Sequence, residues 1–271
     1  MKSNIKAYFS VFRLRLITGL QYRAAALAGI ATQFFWGFMH IMVYEAFYEN
    51  AMGTQPISLK QIISYVWLQQ AFLVFIALWI RDYEIFNLIT SGNIAYEFCR
   101  PCGFYGFWFA KLVAQRLSGA TLRCFPILIV AFLLPEPYRM TLPPDFLTFC
   151  LFVITLVIGL LVLVSISMLI YISVFITMSP SGSMTTISII GEFFSGMIIP
   201  IPLMPSWLQK IANYLPFRLA ADMPFRIYSG HIPADEALKG ILIQLAWLLV
   251  LVLIGKISLK SITKKIIVQG G

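Results

Sequence analysis

Met184-Thr-Thr-Ile-Ser-Ile-Ile-Gly-Glu-Phe-Phe-Ser-Gly-Met-Ile-Ile199 is an apolar run of 16 residues, short of the about 20 that a helix needs to cross roughly 30 Å of hydrocarbon. Pro200, Pro202 and Pro205 follow it, each removing a backbone donor and opposing continuation of a helix. Trp207-Leu-Gln-Lys-Ile-Ala-Asn-Tyr-Leu215 then alternates apolar and polar residues at helical spacing before Pro216, the pattern of a short amphipathic helix. The stretch predicts a broken helix and an outer, partly re-entrant hairpin over 200–235. Irregular backbone survives at membrane depth only where protein or a water-filled cavity satisfies its polar groups. Such a hairpin is therefore expected to be a working part.

Working outward, the chain is 60% hydrophobic and 11% charged, which places it with polytopic membrane proteins and excludes a soluble core. Apolar stretches predict six transmembrane helices, at Ala24–Tyr48, Gln61–Ile80, Leu117–Leu134, Phe146–Met178, the broken Met184–Ile199 and Ala237–Ile257. The expected fold class is all-α. The first thirty residues lack a signal-peptide pattern, because Arg13, Arg15 and Arg23 interrupt any apolar core and no small-residue cleavage site follows. The first span is expected to be retained.

Basic residues set the expected orientation, since loops rich in Lys and Arg stay in the cytoplasm. With both termini inside, Lys2, Lys6, Arg13, Arg15, Arg23, Arg81, Arg100, Lys111, Arg116, Arg123, Lys256, Lys260, Lys264 and Lys265 lie on or near the cytoplasmic side. Glu49, Glu136, Asp145, Asp222, Asp235 and Glu236 fall in outer loops. The net charge of +9 is thus a topology signal. It sits at helix ends, with no stripe of cations and interleaved aromatics, so no nucleic-acid partner is expected. Cys99 and Cys102 form one CxxC on the cytoplasmic side, but zinc would need further ligands at compatible spacing, and His40 and His231 belong to other regions. Cys124 and Cys150 lie in apolar runs.

Residues 1–23 carry Tyr8, Phe9, Val11, Phe12, Leu14, Leu16 and Ile17 among basic residues, an amphipathic segment suited to the membrane surface. Residues 24–271 form a single transmembrane domain. Its one sizeable cytoplasmic loop is 81–115. There Ile85–Thr90 reads as helical, Ser91-Gly92 ends that turn, and Asn93 is placed to cap a further short helix through Phe98 before Arg100-Pro101. Ile94, Tyr96 and Phe98 would then present an apolar face to a protein partner. Ser179-Pro-Ser-Gly-Ser183 reads as the tight turn between the fourth and fifth spans. No GxxxxGK[ST] is present, so energy for any transport would come from another subunit or a gradient. There is also no convincing internal repeat, which disfavours an inverted-repeat carrier.

Two motifs point to a family. One is Gly92-Asn-Ile-Ala95 followed by Arg100-Pro101; the other is Pro200-Ile-Pro-Leu-Met-Pro-Ser-Trp-Leu-Gln-Lys-Ile-Ala-Asn-Tyr-Leu-Pro216 followed by Pro224-Phe-Arg-Ile-Tyr-Ser-Gly230. In their order, spacing and side of the membrane, over essentially the whole length, the chain resembles the permease subunits of ABC-2 type ABC transporters whose ATPase is a separate chain. The resemblance implies that the segment before Ala24 is an interfacial elbow helix. It also implies that the loop around Glu84, Asn93, Ile94, Tyr96, Phe98 and Arg100 is a coupling helix docking on the ATPase. Pro200, Pro202, Pro205, Trp207 and Pro216 would shape outer re-entrant helices. Partners would be ABC ATPase subunits, a second permease, identical or related, and membrane lipid. No cofactor is implied in this chain; ATP and Mg would be bound by the ATPase. The Cys99 and Cys102 pair has no assignable family role.

Glu192 is the acid well inside a span, and an ionisable residue at that depth is a functional candidate. It is expected either on the transport route or in a structural pair with Arg123, Arg218 or a serine. Gln33, His40 and Tyr171 are candidates for the same route. The expected function is the permease subunit of an exporter in the bacterial cytoplasmic membrane, itself not an enzyme, moving a hydrophobic, amphipathic or cationic substrate. The rival readings are an integral-membrane lipid-modifying enzyme, which would need a cluster of catalytic side chains at one face, and a non-transporting scaffold or sensor.

Overall fold

The computed structural model describes residues 2–264, apart from the side chains of residues 2–4 and of Phe98. Lys265, named above among the cytoplasmic cations, lies outside them. The described residues form helices and connecting turns: α1 (Lys2–Leu20), α2 (Arg23–Glu49), α3 (Leu59–Ala71), α4 (Leu73–Ile76), α5 (Tyr83–Thr90), α6 (Ala95–Phe98), α7 (Phe104–Leu133), α8 (Phe146–Thr177), α9 (Pro180–Phe194), α10 (Ser206–Tyr214), α11 (Asp222–Tyr228) and α12 (Ala234–Thr263). Short 3-10 turns at Ile201–Leu203 and Phe217–Leu219 flank α10.

Among the described residues four helices are long and apolar enough to cross a membrane: α2, α7, α8 and α12. The other two expected spans take different forms. Gln61–Ile80 is divided at Phe72 into α3 and α4, and the run at Met184 belongs to α9, whose 15 residues extend about 22 Å at 1.5 Å per residue. The fold is therefore an all-helical bundle of four long helices, in which α3 is buried against α2 and α7 while α9 lies along α8 with one face exposed. Two further boundaries move. The expected span Leu117–Leu134 is the second half of α7, whose first half packs along α1, so the loop after α4 closes at Gly103 and not at Gln115. The expected turn Ser179–Ser183 is absorbed into α9: Met178 takes a left-handed conformation (φ 49°), Ser179 caps the helix and Pro180 opens it, a position where proline's missing donor costs nothing.

Close approach holds the bundle where lipid offers no hydrophobic drive between helices. α1 and α7 run side by side in parallel, with Tyr8 donating to the Gly103 carbonyl (3.1 Å) and Gly19 seated directly on Ser118. The buried stripe of α2, Ala26, Ile30, Gln33, Gly37 and Ile41, repeats every three or four residues. Gly37 in that stripe lies under the Trp67 ring of α3. At the other side α8 meets α12 and α11. Buried Gln244 of α12 donates to the carbonyls of Thr155 (2.9 Å) and Leu219 (2.7 Å), tying α8, α12 and the turn after α10 together.

The path of the chain after α4 depends on Arg116 of α7. Its guanidinium, only 2% exposed, donates to the carbonyls of Val74 (3.1 Å), Ala77 (2.7 Å) and Ile80 (3.4 Å) and to Ser167 Oγ (3.1 Å). A helix end leaves carbonyls unpaired. Arg116 satisfies them and fixes the turn at 77–80 that leads out of the bundle. Arg116→Met should lower stability by about 2–4 kcal/mol, from buried carbonyls left without donors at about 1–3 kcal/mol each. Thermal unfolding in detergent reads this directly, and an unchanged midpoint would show that water replaces the guanidinium.

Candidate functional site

Two clusters of buried charge lie at opposite ends of the bundle. At the end holding the starts of α2 and α7 and the end of α8, Asp82 caps α5, its Oδ1 accepting the backbone N–H of Glu84 (2.9 Å) and Ile85 (3.2 Å). Lys111 of α7, buried, reaches Asp82 Oδ2 and Glu84 Oε2, each at 3.1 Å. Glu84 also pairs with Arg15 of α1. Burial pushes the Glu84 carboxyl up, but hydrogen bonds and charge from Arg15 and Lys111 outweigh it and hold it below the ordinary value of 4.5. The hydroxyl of Tyr171 on α8 accepts the Asp82 N–H (2.7 Å), and its ring packs on Phe86 with centroids 4.7 Å apart. One knot thus binds α5 to α1, α7 and α8.

Beyond it, Glu97 is buried and bound to Arg100 (2.8 Å) and to the Trp108 indole N–H (3.3 Å). The expected docking residues divide. Ile94 is 2% exposed and belongs to the core, so it cannot face a partner, whereas Tyr96 is 74% exposed. The Phe98 side chain lies outside the described residues. The cap expected from Asn93 does not form: Ile94 occupies the cap position without a side-chain bond, and the Asn93 N–H instead donates to Ser91 Oγ (3.4 Å). Tyr83, which sequence reading passed over, is 65% exposed beneath the Arg81 guanidinium (5.5 Å to the ring centroid). Its signal was its place as first residue of an amphipathic turn.

At the opposite end the irregular segment between α9 and α12 is assembled on Asp222, which is fully buried. Oδ1 accepts the Ile201 N–H (3.3 Å) and the Tyr65 hydroxyl (3.5 Å), and Oδ2 accepts Arg226 Nη1 (3.1 Å). Tyr65 also donates to the carbonyl of Gly196 (3.0 Å), whose φ of 81° is the left-handed turn that glycine allows. Pro200 and Pro202 flank the turn at Ile201, Pro205 precedes α10, exposed Trp207 stands in its first turn, and Pro216 follows it. His231 links α11 to the start of α3. Its Nε2–H donates to the Pro56 carbonyl (3.0 Å), which leaves Nδ1 to accept Arg226 Nε–H (3.1 Å).

The bond accepted by Nδ1 requires the neutral ring, because a protonated Nδ1 would turn an N–H toward the Arg226 donor. Burial, with Arg226 adding to it, lowers its pKa from the ordinary 6.5, against weaker opposing effects of the Pro56 bond, Asp222 and Glu236. The unfolded chain therefore takes up the proton more readily than the folded one. Its contribution to stability is complete above 6.5 and falls away as the pH drops below it. Melting temperature measured from neutral pH downward should fall more steeply for the wild type than for His231→Asn; identical slopes would remove His231 from this role.

The four route candidates do not meet within one chain. Gln33 sits in the buried stripe of α2, both amide atoms without a described partner. His40 lies beside Trp36, ring centroids 5.8 Å apart. Tyr171 is committed to the Asp82 knot. Glu192, on α9 one turn before Gly196, is partly buried, and among the described residues its carboxylate has no ion pair and no hydrogen bond; Arg123, Arg218 and the serines do not meet it. Cys99 and Cys102 are free thiols. No protein-family model matches the chain, and no curated protein matches it.

Proposed function

We propose that the chain is the membrane-spanning subunit of an ATP-driven exporter of the ABC-2 type, working with a separate ATPase and a second permease. In this reading the six crossings are the four long helices together with α3–α4 and α9. The knot around Asp82 and both termini face the cytoplasm of a bacterium, α1 is the elbow helix, and the Asp222 hairpin re-enters from the outside. The observation that carries the proposal is the knot itself. A partner that moves α5 must move α1, α7 and α8 with it, because Asp82 and Glu84 are bound to all three. Separating Asp82 from Lys111 would strand buried charge at about 3–5 kcal/mol. Such a lever suits transmission of work from an ATPase to spans that hold no nucleotide motif. The exposed apolar faces of α2 and α12 would serve lipid and the second permease.

Docking falls to the exposed tyrosines. Tyr83→Ser with Tyr96→Ser, in a tagged chain purified from its native membrane, should reduce co-purified ATPase activity by at least about tenfold, the usual cost of losing two aromatic anchors. A wild-type chain that brings down no ATPase, or a double variant that retains it, would overturn the assignment.

Glu192 supports an amphipathic or cationic substrate, since its carboxylate lies near the break of α9 where water can reach it. Glu192→Gln should change substrate-stimulated ATP hydrolysis and leave the melting temperature of the subunit in place. A lowered melting temperature with unchanged transport would make the residue structural.

A further inference from the structure

A cleft of about 580 Å³ opens at the hairpin end between α10, α11 and the first turns of α12. Three cations line it, Arg218, Arg226 and Lys239, against the single carboxylate of Glu236. Their availability differs. Arg226 is engaged by Asp222 and His231, so its charge is largely answered within the protein. Lys239 is exposed and forms no ion pair among the described residues. Arg218 is the unusual one. Its Nε is buried with no hydrogen-bond partner, and no described carboxylate lies within ion-pair distance of its guanidinium.

A buried donor of a charged group left unpaired costs free energy that folding should not tolerate without return. The chain nevertheless builds Arg218 into the wall of a solvent-open cleft, one turn before the Asp222 knot that fixes the surrounding backbone. Asn213 of α10, exposed on the same wall, adds an amide donor. The donors come from three elements: the turn after α10, α10 itself and α12. A planar carboxylate is satisfied by one guanidinium fork, whereas a phosphate presents several oxygens in different directions and accepts from a guanidinium fork and a lysine point charge together.

We infer that this cleft is a binding site for a phosphate group, held by Arg218 with Lys239 and Asn213 contributing. The group is supplied either by the headgroup of an anionic lipid or by a soluble phosphate compound. Neither source depends on the transport reading, because the cleft is defined by side chains of this chain alone. Glu236 at the cleft selects against highly charged anions and leaves a net attraction for a singly or doubly charged one.

The test uses the full chain in two arms. In detergent, inorganic phosphate should raise the melting temperature of the wild type above that in sodium chloride of equal ionic strength, and Arg218→Gln should weaken the apparent affinity by at least about tenfold, as expected for one charge-assisted bidentate contact. In nanodiscs of phosphatidylcholine with and without phosphatidylglycerol, native mass spectrometry should show phosphatidylglycerol retained by the wild type and lost from the variant. A response in the first arm alone identifies a soluble phosphate, and one in the second alone a lipid headgroup; both support the site. Lys239→Gln, on an exposed surface, provides a variant that keeps the fold and should lose part of the response. Equal behaviour of wild type and both variants in both arms overturns the inference.

Discussion

The guanidinium of Arg116 is the interaction on which the arrangement of the bundle rests. It lies where α4 stops, and its four hydrogen bonds replace those that a continuing helix would have made. Because the carbonyls of Val74, Ala77 and Ile80 share one rigid planar donor, the segment between them has one path. That path delivers Asp82 to the cap of α5, beside the Tyr171 hydroxyl and within reach of Lys111. Remove the guanidinium and the loop loses its fixed exit, since a lysine's point charge cannot hold three divergent carbonyls.

The two ends of the molecule solve one physical problem in the same way. A carboxylate is taken out of water, made to cap or staple backbone N–H groups, and then answered by a cation from a neighbouring turn or helix. Asp82 does this with Lys111, and Asp222 with Arg226. Burying such pairs adds little net stability, because desolvation offsets the attraction. What they provide is a fixed geometry for short, irregular segments that helix propensity alone would leave unplaced. Between the ends, packing is done by small residues and single polar bonds: Gly19 on Ser118, Gly37 under Trp67, and Gln244 across to Thr155 and Leu219.

Within this frame the charges sort by whether they are answered. Lys111, Asp82, Asp222 and Arg226 are satisfied internally and hold the fold. Glu192 and Arg218 form no ion pair with described residues; Glu192 stands in the last turn of α9, and Arg218 lines the cleft beside α10. Unpaired charge in a membrane bundle is costly, so these two positions, of opposite sign, have the most to gain from a ligand.

Much of the architecture is legible in the sequence, because the signals are local. Apolar length gives α2, α7, α8 and α12; the proline cluster 200–205 and Pro216 bound α10; Ser91-Gly92 and Arg100-Pro101 bound the helices of the loop. What the sequence could not disclose is which polar residues meet. Ile94 looks like the centre of an exposed face, yet it is buried, because the loop folds back on α7 and α8. Phe104–Arg116 reads as loop, yet it is helix, because α1 lies along it and its cations find partners from α4 and α5. The roles of Asp82, Lys111, Arg116 and Asp222 depend on partners far along the chain, Tyr171 being 89 positions from Asp82 and Tyr65 157 from Asp222, and on which carbonyls a broken helix leaves open. Periodicity along the chain reports which face of a helix is apolar; only tertiary packing decides which charge stands opposite which.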